Sequence, residues 1–134
     1  MAIDFGTKRT GLAVTDPLQI IATALTTVST HELFDFLKNY FIKEEVELVL
    51  LGIPVREDGK ESHSTPHIKV FFNKFITEFK NIPIEFRDES FTSQRAMEAM
   101  IISGTKKKKR REKGNLDKIS ATIILQEYLE EHSL

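Results

Sequence analysis

The stretch VELVLLGIP, residues 46–54, constrains the fold more than any other. A strand with one face in water alternates apolar and polar side chains. An evenly apolar strand is covered on both faces, as parallel strands flanked by helices are. A parallel strand also needs a crossover to reach its neighbour, and the flanking sequence supplies two. Upstream, Leu33, Phe34, Phe36, Leu37, Tyr40 and Phe41 fall mostly on one helical face, behind a Ser29-Thr30-His31-Glu32 segment with the spacing of a capping box. Downstream, Pro66 suits a first helical turn, and Ile68, Phe71, Phe72, Phe75, Ile76 and Phe79 form a helical stripe. IPIEFRDE then reads as the next strand.

The chain before residue 30 has a different rhythm. MAID, GLAVTD and IIATALTTV are short β segments separated by GTKR and by Asp16-Pro17, turns tight enough for an antiparallel meander of three strands. Beyond the last strand, Thr92 or Ser93 opens a helix closed by Gly104. Asn115 then caps a final helix carrying Leu116, Ile119, Ile123, Ile124 and Tyr128. The order βββ-α-β-α-β-α-α predicts one α/β domain spanning residues 1–134, a mixed five-stranded sheet with helices on both faces. Sites in such sheets form at the carboxyl ends of strands.

Three acidic positions fall at such ends. Asp4 closes the first strand, Asp88 and Glu89 the last, and Asp117 lies in the first turn of the final helix. An isolated carboxylate in a packed strand costs several kcal/mol unless a cation or water compensates it. Asp4 therefore needs a partner: Lys8 or Arg9 from the turn that follows, or a metal. Carboxylates brought within a few ångströms of one another are stable only when protonated or bridged by a cation. With no Cys and no convincing His set, hard oxygen donors select Mg²⁺ or Mn²⁺ over Zn²⁺. Such ions activate water and stabilise the leaving oxygen of a phosphodiester. For Asp117 alone, the helix dipole is a sufficient structural reason for an acid.

Charge points to the same class of substrate. The net charge of −1 hides a basic run: TKKKKRREKGN holds seven cations against one acid, leaving 12 basic and 19 acidic residues elsewhere. Lys106, Lys107, Lys108, Lys109, Arg110 and Arg111 suit a polyanion met locally, and Lys8 and Arg9 could grip a phosphate near the acids. The absence of Cys excludes a disulfide framework and thiolate chemistry. No apolar stretch is long enough to cross a bilayer and no leader pattern opens the chain, so a cytoplasmic protein is expected.

DFGTKRTGLAVTDPL, LLGIPVREDG, RDESFTS and LDKISATIILQEYL, in this order, resemble the YqgF (RuvX-like) family of pre-16S ribosomal RNA nucleases, within the RNase H-like superfamily and related to Holliday junction resolvases. The resemblance covers nearly the whole chain. It implies an RNase H-like fold, divalent-metal-dependent phosphodiester hydrolysis and maturation of the 16S rRNA 5′ end. The family's acids fall on Asp4, on Asp88 and Glu89, and on Asp117; of the pair, Glu89 is favoured as the ligand. Ser90 stands where the family usually has Arg, and Ser120 where it has Ala. The expected partners are pre-rRNA, branched DNA or ribosomal particles, with no membrane, the protein being a monomer or homodimer. The rival readings are a resolvase-like DNA nuclease and a non-catalytic RNA-binding assembly factor on the same fold.

Overall fold

The structure, a computed structural model, describes residues 1–54, 63–89 and 113–132, with backbone alone for 113–116. Strands β1 (Ala2–Asp4), β2 (Arg9–Thr15) and β3 (Ala22–Ser29) form the antiparallel meander. A single 3-10 turn, Thr30–Glu32, leads into α1 (Leu33–Lys43). Next come β4 (Val49–Ile53), α2 (Thr65–Glu78), β5 (Ile84–Asp88) and α3 (Lys113–His132). The strand order is β3-β2-β1-β4-β5, with β1–β4 and β4–β5 parallel. The mixed five-stranded sheet thus has the architecture predicted from sequence, with the shortest strand at its centre.

Alternation along each strand divides the core into two layers. Ile3, Leu12, Val49 and Leu51 face α1 and α2 and pack with Leu33, Leu37, Ile68, Phe71 and Phe75. Ala2, Ala13 and Leu50 face α3 and pack with Ala121, Ile124 and Leu125. The first layer is filled by aromatic rings, Phe41 meeting Phe79 edge-on at 5.0 Å between centroids. The second is lined by small residues, so α3 lies close on the sheet. That difference in thickness positions the site.

Three local expectations are corrected. Ser29 makes no side-chain capping bond. The hydroxyl of its neighbour Thr30 donates instead to the Gly6 carbonyl, at 2.6 Å. The final helix already runs at Lys113, so Asn115 lies inside it and Asp117 stands beyond its first turn. The N-terminal dipole, which falls off within one turn, is therefore not the reason for that acid. Ile76 faces solvent rather than the core, whereas Phe71 and Phe75 are buried as predicted. The helix expected from Thr92 or Ser93 lies outside the described residues, as do Ser90 and residues 106–111.

Candidate active site at the carboxyl ends of the parallel strands

Period-two alternation decides which acids meet. Asp4 is in phase with Ala2 and so faces α3. The amide of Glu89 donates to the Ile53 carbonyl at 3.1 Å, extending the β4–β5 ladder one residue past Asp88. Glu89 is then in phase with Arg87, which pairs with Glu131 of α3, so both lie on the α3 side. Asp88, one residue out of phase, is exposed. Asp4 and Glu89 are joined by a side-chain hydrogen bond.

Two glycines make room for this meeting. Gly52 on β4 lies beneath Glu89. A β-carbon there would stand 2.6 Å from Glu89 Oε2 and 2.8 Å from Ile124 Cδ1. Gly11 is the ladder partner of Asp4, and a β-carbon on it would overlap the backbone carbonyl of Asp117. The helix backbone thus rests directly on β2 opposite Asp4, which brings Asp117 into electrostatic contact with Asp4. Neither glycine was assigned a role from sequence. A glycine in a strand interior is itself the signal, because it marks a close approach of another group.

The electrostatics are those of an acid pair short of positive charge. Burial, opposed by the hydrogen bond from Glu89 and reinforced by the charge of Asp117, raises Asp4 from its ordinary 3.8 to about 6. Burial, the Asp4 charge, the shared hydrogen bond and the Asp88 charge raise Glu89 from 4.5 to about 10. Both carboxyls are pushed towards the protonated form, so the pair holds a proton between them at neutral pH.

The cations stand further out. Arg9 Nε lies 3.5 Å from Asp117 Oδ2, so Arg9 pairs with Asp117 and not with Asp4, the partner that sequence proximity alone would suggest. Lys8 is exposed at the tip of the same loop. Among the described residues no three His, Asp or Glu side chains form a tight ligating group. The donor set nonetheless fits a hard divalent cation: two carboxylates share one proton, and a third acid lies within electrostatic reach of Asp4. The bound proton supplies the positive charge such an ion would bring. His63 and His67, at ring centroids 6.4 Å apart, flank the start of α2, His63 in the turn before it and His67 in its first turn.

Comparison with known proteins agrees with the architecture. The profile of the RuvX family, described as Holliday junction resolvase, matches residues 1–131. A Christiangramia forsetii protein is 54% identical over 131 residues, covering 98% of this chain and 97% of its own. A Phocaeicola vulgatus protein is 52% identical over 130 residues, covering 97% and 94%. A Flavobacterium johnsoniae protein is 51% identical over 129 residues, covering 96% and 94%. All three relatives carry the name "Putative pre-16S rRNA nuclease".

Proposed function

The chain belongs to the RuvX family of RNase H-like nucleases, and from that premise we propose that it is a divalent-metal-dependent nuclease that hydrolyses phosphodiester bonds in a 16S rRNA precursor during 5′-end maturation. The observation that carries this reading is the hydrogen-bonded Asp4–Glu89 carboxyl pair, brought together across β4 from the carboxyl ends of β1 and β5, with Asp117 in electrostatic reach. The relatives' name supplies the substrate.

Asp4, Glu89 and Asp117 would hold Mg²⁺ or Mn²⁺. The chemistry such ions supply when bound is activation of the attacking water and stabilisation of the leaving oxygen. The protein does the rest. Asp4 and Glu89 give up their shared proton and present two anionic oxygens from a rigid sheet. Asp88, exposed one residue away, keeps the local potential negative. Arg9, beside Asp117, and the exposed Lys8 would grip a substrate phosphate, Arg9 with a planar fork of donors and Lys8 as a point charge. The sequence adds six further cations at Lys106, Lys107, Lys108, Lys109, Arg110 and Arg111. Cations of that density give affinity without sequence choice, so the cleavage site would be set by RNA structure or by the ribosomal particle that presents it. This reading places the protein in the cytoplasm with the ribosome.

The test is cleavage of a 16S precursor fragment carrying its 5′ extension. Mg²⁺-dependent trimming by the unsubstituted protein, lost in Asp4→Asn, is the expected result. Trimming that survives in Asp4→Asn, or in EDTA, refutes it. The family's description favours a second reading, hydrolysis of a four-way DNA junction. A junction cut in preference to the RNA decides for that reading. Salt-sensitive RNA binding with no cleavage of either substrate decides for a non-catalytic assembly factor.

A further inference from the structure

The loop that carries Lys8 and Arg9 is tied to a residue far away in sequence. The Thr30 hydroxyl donates to the Gly6 carbonyl at 2.6 Å, and the Thr30 amide donates to the Lys8 carbonyl at 3.0 Å. One residue thus holds two carbonyls of the same short loop. Thr30 has a single hydroxyl proton, already given to Gly6. The 3.0 Å contact with Thr10 Oγ1 must therefore be a hydrogen bond donated by Thr10. Thr10 is fully buried, so it has no water to turn to. The chain of bonds runs from Thr10 through Thr30 to Gly6. Gly6 in turn packs on the Arg9 backbone so closely that a β-carbon there would overlap the Arg9 carbonyl.

The network fixes the loop at both ends. On one side it adjoins Asp4, two residues before Gly6. On the other it adjoins Arg9, whose Nε meets Asp117. The amide bond from Thr30 to Lys8 continues the β2–β3 ladder one pair beyond Arg9–Ser29, but the part-buried hydroxyl bond to Gly6 reaches past the end of the ladder, which does not require it. Nor does capping require it, since the helix that follows receives no cap bond from Ser29.

We propose that Thr30 is a positioning residue for nucleic-acid binding. Through its two bonds to the Gly6–Arg9 loop it sets where Lys8 and Arg9 meet a substrate phosphate, and Thr10 orients its hydroxyl. This rests on the nuclease reading above. It adds a residue outside all four motifs that carry the family resemblance.

The test separates this inference from that reading. Affinity for a fluorescein-labelled single-stranded RNA is measured in EDTA, where binding is read without turnover, across a series of salt concentrations. Thr30→Val keeps the shape and loses the hydroxyl. It is expected to weaken binding about tenfold and to flatten the slope of log K against log salt by about 0.7 for each phosphate the protein no longer neutralises. Thr30→Ser, which restores the donor, is expected to bind as the unsubstituted protein does. In a Lys8→Ala background, Thr30→Val is expected to add little. A purely structural Thr30 would lower the melting temperature while leaving the affinity and salt slope of the folded fraction unchanged. That result, or a Thr30→Ser as weak as Thr30→Val, overturns the inference. If Thr30→Val does not fold, Thr10→Val takes its place. A two- to threefold loss of affinity then supports the inference, and unchanged affinity refutes it. Failure of the unsubstituted protein to bind RNA at all refutes the nuclease reading itself, and this inference with it.

Discussion

The backbone carbonyl of Asp117 occupies the place a side chain on Gly11 would take. Gly11 is also the residue opposite Asp4 in the β1–β2 ladder. The missing side chain therefore sets the distance between the acid at the end of the first strand and the acid on the last helix. Gly11→Ala has only backbone atoms to push against, so α3 must shift. A loss of about 1–3 kcal/mol is expected, as for other overpacked cores. Cleavage should fall at least tenfold beyond what the lost stability explains. Urea unfolding and single-turnover kinetics on the same preparation check both.

Gly52→Ala should behave differently. Its new β-carbon meets the ends of two side chains, Glu89 and Ile124, which can swing aside. Stability should change by less than about 1.5 kcal/mol, the usual cost of a tolerated core change. The displaced Glu89 should nevertheless weaken Mn²⁺ binding severalfold in calorimetry. Unchanged Mn²⁺ affinity would show that Glu89 is not a ligand.

The proton held between Asp4 and Glu89 predicts a pH dependence with a definite sign. Asp4 and Glu89 both have folded values raised above their ordinary ones, to about 6 and about 10. The folded state then holds protons more tightly than the unfolded one. The pair's contribution to metal-free stability is complete below the ordinary carboxylate values and is lost as pH rises through the folded ones. In EDTA the unfolding free energy should decline from about pH 5 towards pH 10, and Glu89→Gln should flatten that decline. A Glu89→Gln protein with the same slope would contradict the shared proton.

The same proton must leave when a cation arrives. Mg²⁺ or Mn²⁺ binding should release about one proton per protein at neutral pH and tighten as pH rises. Titration calorimetry in buffers of different ionisation enthalpy measures the release directly. Asp4→Asn should abolish both the binding and the release. Binding with no proton exchange would place the ion elsewhere.

Arg9 should matter for substrate and little for the fold. Its pair with Asp117 is partly exposed on both sides, a setting in which ion pairs contribute about 0–1 kcal/mol. Arg9→Ala should shift the melting temperature little and weaken RNA binding about tenfold, more at low salt than at high. A large stability loss with unchanged RNA affinity would make the pair structural.

Much of this was legible in the sequence because it is written in local periodicity. The uniform apolarity of VELVLLGIP forced a covered parallel strand, and the Phe spacing of α2 marked the face that packs against the sheet. Asp4 and Glu89 could be matched because strand ends at one edge of a parallel sheet converge by topology. What escaped depends on contacts that no local pattern records. Gly11 and Gly52 act through the absence of a side chain, which counts only once a helix or a carboxylate lies above them. Ser29-Thr30-His31-Glu32 has the spacing of a capping box, yet Ser29 accepts no capping bond, and the hydroxyl bond made at this point is that of Thr30, donated to the Gly6 carbonyl 24 residues away. The start of α3 was placed too late because Asn115 is a good cap, although the helix already runs through it.

The acids of this centre come from distant parts of the sequence, Asp4 on β1 and Asp117 on α3. During synthesis the proton-sharing pair can form as soon as β5 has docked, whereas the third carboxylate arrives only when α3 settles onto Gly11. A nascent chain halted before that helix would display the cationic loop and two of the acids without the full constellation.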